Sequence, residues 1–495
     1  MPAGFSASDF YYLLPAFVLA GVAMLVLVAD VFVPRARAAV VLGWVSLAGI
    51  VATLVVTIAV LVPAAGMPTT IAHGMVAIDG FSFFFQTLFL LAAGITILMS
   101  VRYLQIEGAR AGTFYFLVLC ATLGMMFMAA GSDLVTIFIG LETMAVSFYV
   151  LAGFLKPNQR SNEAAVKYFL LGTFSLGLLL YGMSILYGLS GTTNLREIGA
   201  ILASQERSRL VVLAVILVAA GVGFKIAAVP FHMWAPDVYE GAPTPITAFL
   251  SVGSKAASFA MLLRIFVQGM PSLNADWRLL FYVLSVMTMT VGNIAALTQS
   301  NIKRMLAYSS IAHAGYLLIG VVVGTPRGVT AMLVYLFIYA FMQLGAFAVV
   351  TMLRRQDVIG DELKDLSGLF ARSPVAALAM LVFMLSLGGI PPTAGFMGKF
   401  YLFGAAIDAG YVWLAVIGVL NSAVSLYYYF RVIVFMWIKT ETIGSRVVMN
   451  PALAIGLTLA LVGTLFFGVY PRALFDFAEA SARTLGTLVV TASVR

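Results

Sequence analysis

The chain has 495 residues, of which 62% are hydrophobic and only 10% are charged, and its mean hydropathy is +1.05. Soluble domains are about one quarter charged, so this composition argues against a soluble enzyme and predicts an integral membrane protein. The net charge of +8 comes from no basic run or basic face, which argues against nucleic-acid binding and fits the positive-inside rule instead. Cys120 is the single cysteine, so the sequence holds no disulfide framework and no CxxC metal site.

Apolar runs of about 20 residues, the length that crosses a bilayer as a helix, predict an all-α protein with fourteen transmembrane spans. No basic residue precedes the first span, which predicts an uncleaved helix rather than a signal peptide. In chain order the predicted spans are 10–33, 40–62, 78–101, 112–130, 133–155, 162–188, 209–238, 245–268, 278–298, 302–323, 328–353, 374–407, 411–437 and 450–470.

Basic residues between the spans predict the topology. Loops after odd-numbered spans hold fourteen of them and loops after even-numbered spans hold five, so the odd loops are expected in the cytoplasm and both termini outside. The fourteen are Arg35, Arg37, Arg102, Arg110, Lys156, Arg160, Lys303, Arg304, Arg354, Arg355, Lys364, Arg372, Lys439 and Arg446, and the five are Arg196, Arg207, Arg209, Arg278 and Arg327. The charged loop 354–373 is expected to be a solvated face, with a docking surface for a neighbouring protein as the alternative.

Two predicted spans, 209–238 and 374–407, are longer than a bilayer requires and are interrupted by helix breakers. The first contains GVGFKIAAVPFHMWAPD, and the second contains LSLGGIPPTAGFMGKF. A broken backbone at membrane depth persists only where it is buried in protein or lines a cavity. The predicted breaks lie at Pro230 in the first span and at Gly388, Gly389, Pro391 and Pro392 in the second.

The two broken spans occupy matching places in two groups of five, spans four to eight and spans nine to thirteen. Because five is odd, the groups run in opposite directions, and broken helices at matching places of an inverted repeat point to a transport site. The chain is therefore expected to divide into three N-terminal spans (1–111), a first repeat (112–268), a second repeat (277–438) and a C-terminal span with its tail (449–495).

Ionisable residues within the spans are the candidate functional groups, because a charge at membrane depth is costly. They are Glu142, Lys167, Lys225, Lys255 and Lys399. Burial can bring the pKa of an amine toward neutrality, which would let a lysine take up and release protons, and a nearby carboxylate would oppose that change. For any one of these residues, a structural ion pair is the alternative. Arg264, near the outer end of its span, is expected to reach the membrane surface with its guanidinium.

Three further residues are candidates for supporting roles. Glu163 and Lys167 are four residues apart, so they form either an ordinary helix-surface pair or a site of proton uptake. His232 lies just past the first break, and His313 lies inside span ten, where it is either a hydrogen-bonded core residue or a relay. The sequence has no nucleotide, flavin, iron–sulfur or metal motif, so no cofactor is expected in this chain.

Three long segments resemble one family. LSLGGIPPTAGFMGKF, GVGFKIAAVPFHMWAPDVYEGAPTPITAFLSVGSK (221–255) and NIKRMLAYSSIAHAGYLL (301–318) are similar to the antiporter-like membrane subunits of respiratory complex I, and the resemblance runs over nearly the whole chain. One class in that family is expected to have glutamate where Lys399 stands, and another to continue into a long lateral helix. Lys399 and the extent of this chain favour the remaining class.

The resemblance implies fourteen helices in two inverted five-helix repeats and gives each candidate a role. Glu142 would be the helix-five glutamate, Lys225 the broken-helix lysine, Lys255 the connecting lysine and Lys399 the terminal lysine. Lys167, His232 and His313 would match supporting positions, alongside Glu163.

The resemblance also implies a function: a non-redox, proton-translocating subunit of a bacterial NADH–quinone oxidoreductase, located in the inner membrane with both termini periplasmic. NADH, FMN, iron–sulfur clusters and quinone would be bound by partner subunits. The partners would include a second antiporter-like subunit, a small subunit on the quinone side and membrane lipid. A subunit of a related cation/proton antiporter or a membrane-bound hydrogenase is the alternative. A scaffold that only holds its neighbours is a third interpretation, against which the buried charges argue.

Overall fold

The computed structural model describes residues 6–65, 68–204, 208–354, 360–438 and 449–490. Four of the basic residues used to predict the topology, Arg207, Arg355, Lys439 and Arg446, lie outside these ranges. The described α-helices are α1 (Ala7–Tyr12), α2 (Leu14–Phe32), α3 (Arg35–Ala65), α4 (Gly80–Glu107), α5 (Ala111–Ala130), α6 (Leu134–Ala152), α7 (Gln159–Ser190), α8 (Leu195–Ser204), α9 (Arg209–Lys225), α10 (Trp234–Gly241), α11 (Thr244–Phe249), α12 (Lys255–Leu262), α13 (Asn274–Leu297), α14 (Ile302–Val323), α15 (Pro326–Leu353), α16 (Leu369–Arg372), α17 (Pro374–Gly388), α18 (Ala394–Asp408), α19 (Val412–Trp437), α20 (Pro451–Val469) and α21 (Arg472–Val490).

Strands β1 (Thr69–Ile71) and β2 (Val76–Ile78) form a short antiparallel hairpin between α3 and α4. Two π-helical turns, Leu250–Ser254 and Leu263–Gln268, interrupt the span that runs from Thr244 to Gln268. Single 3-10 turns lie at Pro271–Leu273 and Leu363–Leu366.

Twelve helical runs of the described residues are long and apolar enough to cross a membrane. The two remaining predicted spans are the interrupted ones, which the structure divides into α9 with α10 and α17 with α18. The prediction of an all-α, multi-pass membrane protein is confirmed.

The two groups of five spans repeat the same local contacts. The residue that precedes the second helix of each group, Asp133 or Asn301, forms a β-bridge with the segment that follows the third helix, at Asn194 or Glu362. Each group also has one interrupted helix with a backbone in the left-handed region, at Ala227 (φ 57°) and at Gly389 (φ 84°). These matching features support an internal repeat.

The first two helices of each group pack through glycine. A Cβ on Gly124 would lie 2.5 Å from the backbone nitrogen of Met144 and 2.6 Å from the carbonyl oxygen of Gly140. In the second group, a Cβ on Gly292 would lie 2.7 Å from the backbone nitrogen of Ala312. Small residues let membrane helices approach closely, and here the backbones leave no room for a methyl group.

We expect Gly124→Ala to lower the thermal stability of the detergent-purified protein, because α5 and α6 must separate to accept the methyl group. Gly177→Ala in α7 is the matched control, since a Cβ there meets no atom within 4 Å. Alanine is intrinsically favoured over glycine in a helix by roughly 1 kcal/mol, so the control should be neutral or stabilising. Equal melting temperatures for the two variants would contradict the packing argument.

Arg264 differs from its expectation. It does not reach the membrane surface, because its side chain is 0% exposed and its guanidinium forms a double hydrogen bond with Asp79, at 2.8 and 2.9 Å. Asp79 lies 185 positions earlier in the chain and caps the start of α4. A buried carboxylate partner therefore replaces the water that a surface position would have provided.

The loop 354–373 is also less solvated than expected. Arg354 forms an ion pair with Glu107 at 2.6 Å, and both side chains are mostly buried. Asp361 is 8% exposed and lies 3.7 Å from the Lys303 amine. Of the described loop residues, these two pack onto the helix ends, while Lys364 remains exposed.

Candidate functional site

Lys225 is the last residue of α9, where the first interrupted span breaks. Its side chain is buried, and its amine lies 3.3 Å from the hydroxyl of Tyr149 and faces the rings of Tyr149 and Tyr168. The indole of Trp234 donates to the carbonyl of Phe224 at 2.9 Å and so satisfies a backbone group that the break would otherwise leave unpaired. The break therefore holds the lysine amine inside an aromatic, protein-lined interior.

Glu142 lies on α6, and its carboxylate is close enough to interact with the Lys225 ammonium. Tyr149 follows seven residues later, two turns along the same face. One carboxylate oxygen of Glu142 is buried and has no hydrogen-bond partner among the described residues, although the residue as a whole is half-buried. The acid is thus placed to change the charge state of Lys225 without being held by a direct bond.

Lys255 starts α12, directly after the π-helical turn Leu250–Ser254. Its buried amine donates to the hydroxyl of Ser310 at 2.7 Å and to the carbonyl oxygen of the same residue. The Ser310 hydroxyl also lies 3.5 Å from the hydroxyl of Tyr239. The second lysine is therefore joined to α14 and, through it, to the second repeat.

His313 lies on α14, one turn beyond Ser310, and is buried. Its Nδ1 is 2.6 Å from the hydroxyl of Tyr335, and its Nε2 is 3.1 Å from the hydroxyl of Tyr429. Tyr429 also contacts the hydroxyl of Ser309, at 2.5 Å. Because Ser309 and Ser310 are adjacent, the Lys255 contacts and the His313 contacts meet on one helix.

Lys399 lies in α18, beyond the second break. Its amine donates to the carbonyl oxygens of Leu387 and Gly388, at 3.0 and 3.2 Å, and to the hydroxyl of Ser422 at 2.8 Å. The amine also lies 5.0 Å from the ring of Tyr316, which itself packs against His313. The carbonyl groups freed by the break thus bind the lysine that the break accommodates.

An open pocket of about 330 Å³ adjoins Lys399 and is lined by Gly389, Phe396, Phe400, Ser422 and several other, mostly apolar residues. The pocket gives the amine of the terminal lysine open space on one side.

Several polar side-chain atoms between the lysines are buried without a hydrogen-bond partner among the described residues. They include the hydroxyls of Tyr168 and Ser254, which face each other without a direct hydrogen bond, and that of Tyr339, which faces Ser310 in the same way. Buried polar groups that the protein leaves unpaired are usually satisfied by internal water. Side chains and such waters together could form a hydrogen-bonded route from Lys225 to Lys399.

Lys167 pairs with Glu163, as the sequence suggested, and also belongs to a larger ion-pair network. Its amine lies 2.6 Å from Glu163 and 2.6 Å from Asp237, and Asp237 also pairs with Arg304 at 2.6 Å. Arg304 continues the network to Glu240 at 2.9 Å. Asp237 was not among the candidates from the sequence. Its position three residues after Trp234, next to the predicted break, could have identified this acid as a candidate.

A polar pocket of about 310 Å³ lies beside this network and is lined by Glu107, Arg160, Glu240, Lys303, Asp361 and others. Burial raises the pKa of the Asp361 carboxyl, an effect that the charges of Lys303 and Arg354 oppose. We refer to this end of the molecule as the charged end, and to the opposite end, which carries β1 and β2, as the hairpin end.

His232 is the candidate that the structure separates from the others. It lies half-buried in the first break beside the Pro230 backbone, and its Nδ1 is buried without a partner in the described part of the chain. No hydrogen bond among the described residues joins it to Lys225 or Lys255. Within the same ranges, no group of three His, Cys, Asp or Glu side chains could hold a metal ion.

Comparison with known proteins identifies the family. The family described as "NADH:quinone oxidoreductase/Mrp antiporter, TM" matches residues 130–425. NADH-quinone oxidoreductase subunit N of Trichlorobacter lovleyi is 46% identical over 486 residues, covering 97% of this chain and 98% of that protein. NADH-quinone oxidoreductase subunit N 1 of Koribacter versatilis is 44% identical and covers 99% of both chains.

Solved structures of related complexes contain chains with the same fold. A chain of respiratory complex I from Thermus thermophilus is 34% identical, with a TM-score of 0.79 over 94% of this chain and 99% of that one. A chain of the Mrp complex from Dietzia sp. has a TM-score of 0.85 at 24% identity over 98% of this chain and 100% of that one, a likeness of fold alone. The chain therefore belongs to the family of NADH-quinone oxidoreductase subunit N, within the wider antiporter-like membrane proteins.

Proposed function

We propose that this chain moves protons across the membrane as a non-redox subunit of a bacterial NADH–quinone oxidoreductase, a proton-translocating enzyme complex. The observation that carries the proposal is the row of buried groups from Glu142 and Lys225, through Lys255, Ser310 and His313, to Lys399. Ionisable residues within a membrane domain are candidates for proton transfer by default, and here hydroxyl groups lie between successive lysines.

In this proposal the first repeat (112–268) takes up the proton and the second repeat (277–438) releases it. Uptake occurs at the charged end, where Lys167, Glu163 and Asp237 meet water. Lys225 holds the proton while Glu142 is close and ionised, and transfers it toward Lys255 when that interaction weakens. Lys399 receives it last and releases it into its pocket. His313 passes protons between its tyrosine partners. His232 has no hydrogen bond to Lys225 or Lys255 among the described residues, which favours a lesser role for it.

The positive-inside rule places the charged end in the cytoplasm and the hairpin end and both termini on the periplasmic side of the inner membrane. We propose that NADH, FMN, the iron–sulfur clusters and quinone are bound by partner subunits. The membrane-facing surface of this chain would contact lipid, a second antiporter-like subunit and a small subunit on the quinone side.

Lys255→Met tests the proposal, because methionine keeps much of the side-chain volume and cannot carry a proton. In the complete complex reconstituted into vesicles, we expect NADH-driven proton uptake to fall below about a tenth of wild type, as loss of a proton-transfer group typically costs ~10²–10⁴-fold. Lys364→Met, at an exposed lysine, is the control. Unchanged uptake by the Lys255 variant, at equal amounts of assembled complex, would contradict the relay and favour a scaffold.

A further inference from the structure

Arg264 lies on the same span as Lys255, nine residues nearer the hairpin end, or about 14 Å at 1.5 Å per residue. The stretch between them is apolar and closely packed, since residues 256–263 are all buried. Its one hydroxyl, that of Ser258, donates to the carbonyl of Ser254 at 2.7 Å. No side chain of this stretch is therefore available to carry a proton from Lys255 toward the hairpin end.

All three nitrogens of the Arg264 guanidinium donate hydrogen bonds to neighbouring groups. Its Nε donates to the carbonyl of Ala129 at 3.0 Å, and Nη1 donates to Asp79 at 2.8 Å and to Gln268 at 3.1 Å. Its Nη2 donates to the second oxygen of Asp79 at 2.9 Å, and its planar face covers the ring of Phe81 at 4.6 Å. This arrangement differs from the hydroxyls between the lysines, because each nitrogen of the Arg264 guanidinium has a direct protein partner.

A second arginine gives this group a net positive charge. Arg196 lies near the start of α8, and α8 packs against the π-helical turn that contains Arg264, so the charge of Arg196 acts on both Arg264 and Asp79. Its Nε and Nη2 atoms are buried and have no hydrogen-bond partner among the described residues. Two arginines and one aspartate leave one unit of positive charge, and arginine does not lose its proton in proteins.

We propose that Asp79, Arg196 and Arg264 form an electrostatic barrier that closes the hairpin end of the first repeat to protons. A fixed arginine charge excludes protons from a pore by raising the free energy of a second positive charge nearby. The barrier would stop a proton at Lys255 from escaping directly to the outside, so that it passes through Ser310 and His313 to the second repeat. The inference rests on the proposed relay and adds residues outside it.

The ion pair between Arg264 and Asp79 could instead serve only to hold α4 against the first repeat, so the test separates charge from packing. Arg196→Gln removes the net positive charge and leaves the ion pair intact. Asp79→Asn with Arg264→Met removes the ion pair and keeps the net charge, while asparagine still caps α4. Arg327→Gln is the control, because this arginine lies at the same end, pairs with Asp408 and is 68% exposed.

The measurement is the passive collapse of an imposed pH gradient in vesicles that contain the complete complex, without NADH. A proton that passes the group comes nearer to Arg196 than a proton held at Lys255, so removing the Arg196 charge stabilises the passing proton more. Arg196 is half-buried and partly screened by solvent, which limits the expected change in rate to about threefold. We therefore expect Arg196→Gln to accelerate the collapse about threefold, the Asp79→Asn/Arg264→Met variant to have a smaller effect, and Arg327→Gln to have none.

The leak should disappear when Arg196→Gln is combined with Lys255→Met, because the escaping proton passes through Lys255. An unchanged collapse rate for Arg196→Gln would overturn the barrier, and so would a larger leak from the ion-pair variant, which would assign the seal to packing. A leak that persists without Lys255 would also overturn it. Failure of the relay itself has a separate signature, namely normal NADH-driven uptake by Lys255→Met alone.

Discussion

Replacing Lys399 with alanine is expected to reduce NADH-driven proton uptake below about a tenth of wild type, because losing a positioned proton-transfer group typically costs ~10²–10⁴-fold in rate. The amine is buried, is bound by Ser422 and by the carbonyl groups of Leu387 and Gly388, and borders the open pocket. No described side chain at this position of the second repeat could replace it as the last proton carrier. Uptake is measured in vesicles and normalised to the amount of assembled complex.

The arginine variant separates a fixed charge from a transferable proton. Lys399 borders an open pocket and arginine keeps the positive charge, so Lys399→Arg is expected to assemble. Arginine keeps its proton, however, and we therefore expect this variant to pump no better than alanine. Lys399→Glu should retain partial uptake, because a buried carboxyl can exchange a proton near neutral pH. Full uptake by the arginine variant would show that charge alone suffices and would contradict a role in release.

The buried lysines could be predicted from sequence because each stands alone in apolar surroundings. Placing a lysine such as Lys255 or Lys399 at membrane depth costs several kcal/mol of free energy. Its position in the sequence alone therefore identifies it as a candidate functional residue. The interrupted helices could be predicted as well, because glycine and proline disfavour a helix interior, and Gly389 does adopt the left-handed backbone that glycine favours. The all-α fold and the two interrupted spans therefore follow from local sequence.

The groups that join the lysines could not be predicted in the same way. Ser310, Tyr149 and Tyr429 are common, uncharged residues of membrane helices, and only the packing of separate helices shows that they contact Lys255, Lys225 and His313. Arg264 was predicted wrongly for a related reason. Its hydrogen-bond partner Asp79 lies 185 positions away, and burial of the pair depends on how α4 meets the first repeat.

Glu142→Gln is expected to reduce proton uptake up to about tenfold, since losing a charge interaction of about 1.4 kcal/mol changes the protonation ratio of Lys225 tenfold. The Glu142 carboxylate interacts with the Lys225 ammonium. The hydroxyl that contacts this ammonium belongs to Tyr149, which lies two turns after Glu142 on α6. Glutamine preserves the shape of the side chain and removes only its charge. Assembly of the complex should therefore be unaffected, which blue-native electrophoresis would check.

Glu142→Asp tests whether the negative charge or the length of the Glu142 side chain matters. One carboxylate oxygen of Glu142 has no hydrogen-bond partner in the described part of the chain, so no precise contact would be lost by shortening the side chain. We therefore expect Glu142→Asp to retain most of the uptake that Glu142→Gln loses. Glu479→Gln, at an exposed glutamate paired with Arg483 on α21, is the control for loss of one negative charge. If the aspartate variant is as impaired as the glutamine variant, the position requires an exact contact, and control of Lys225 by charge alone is wrong.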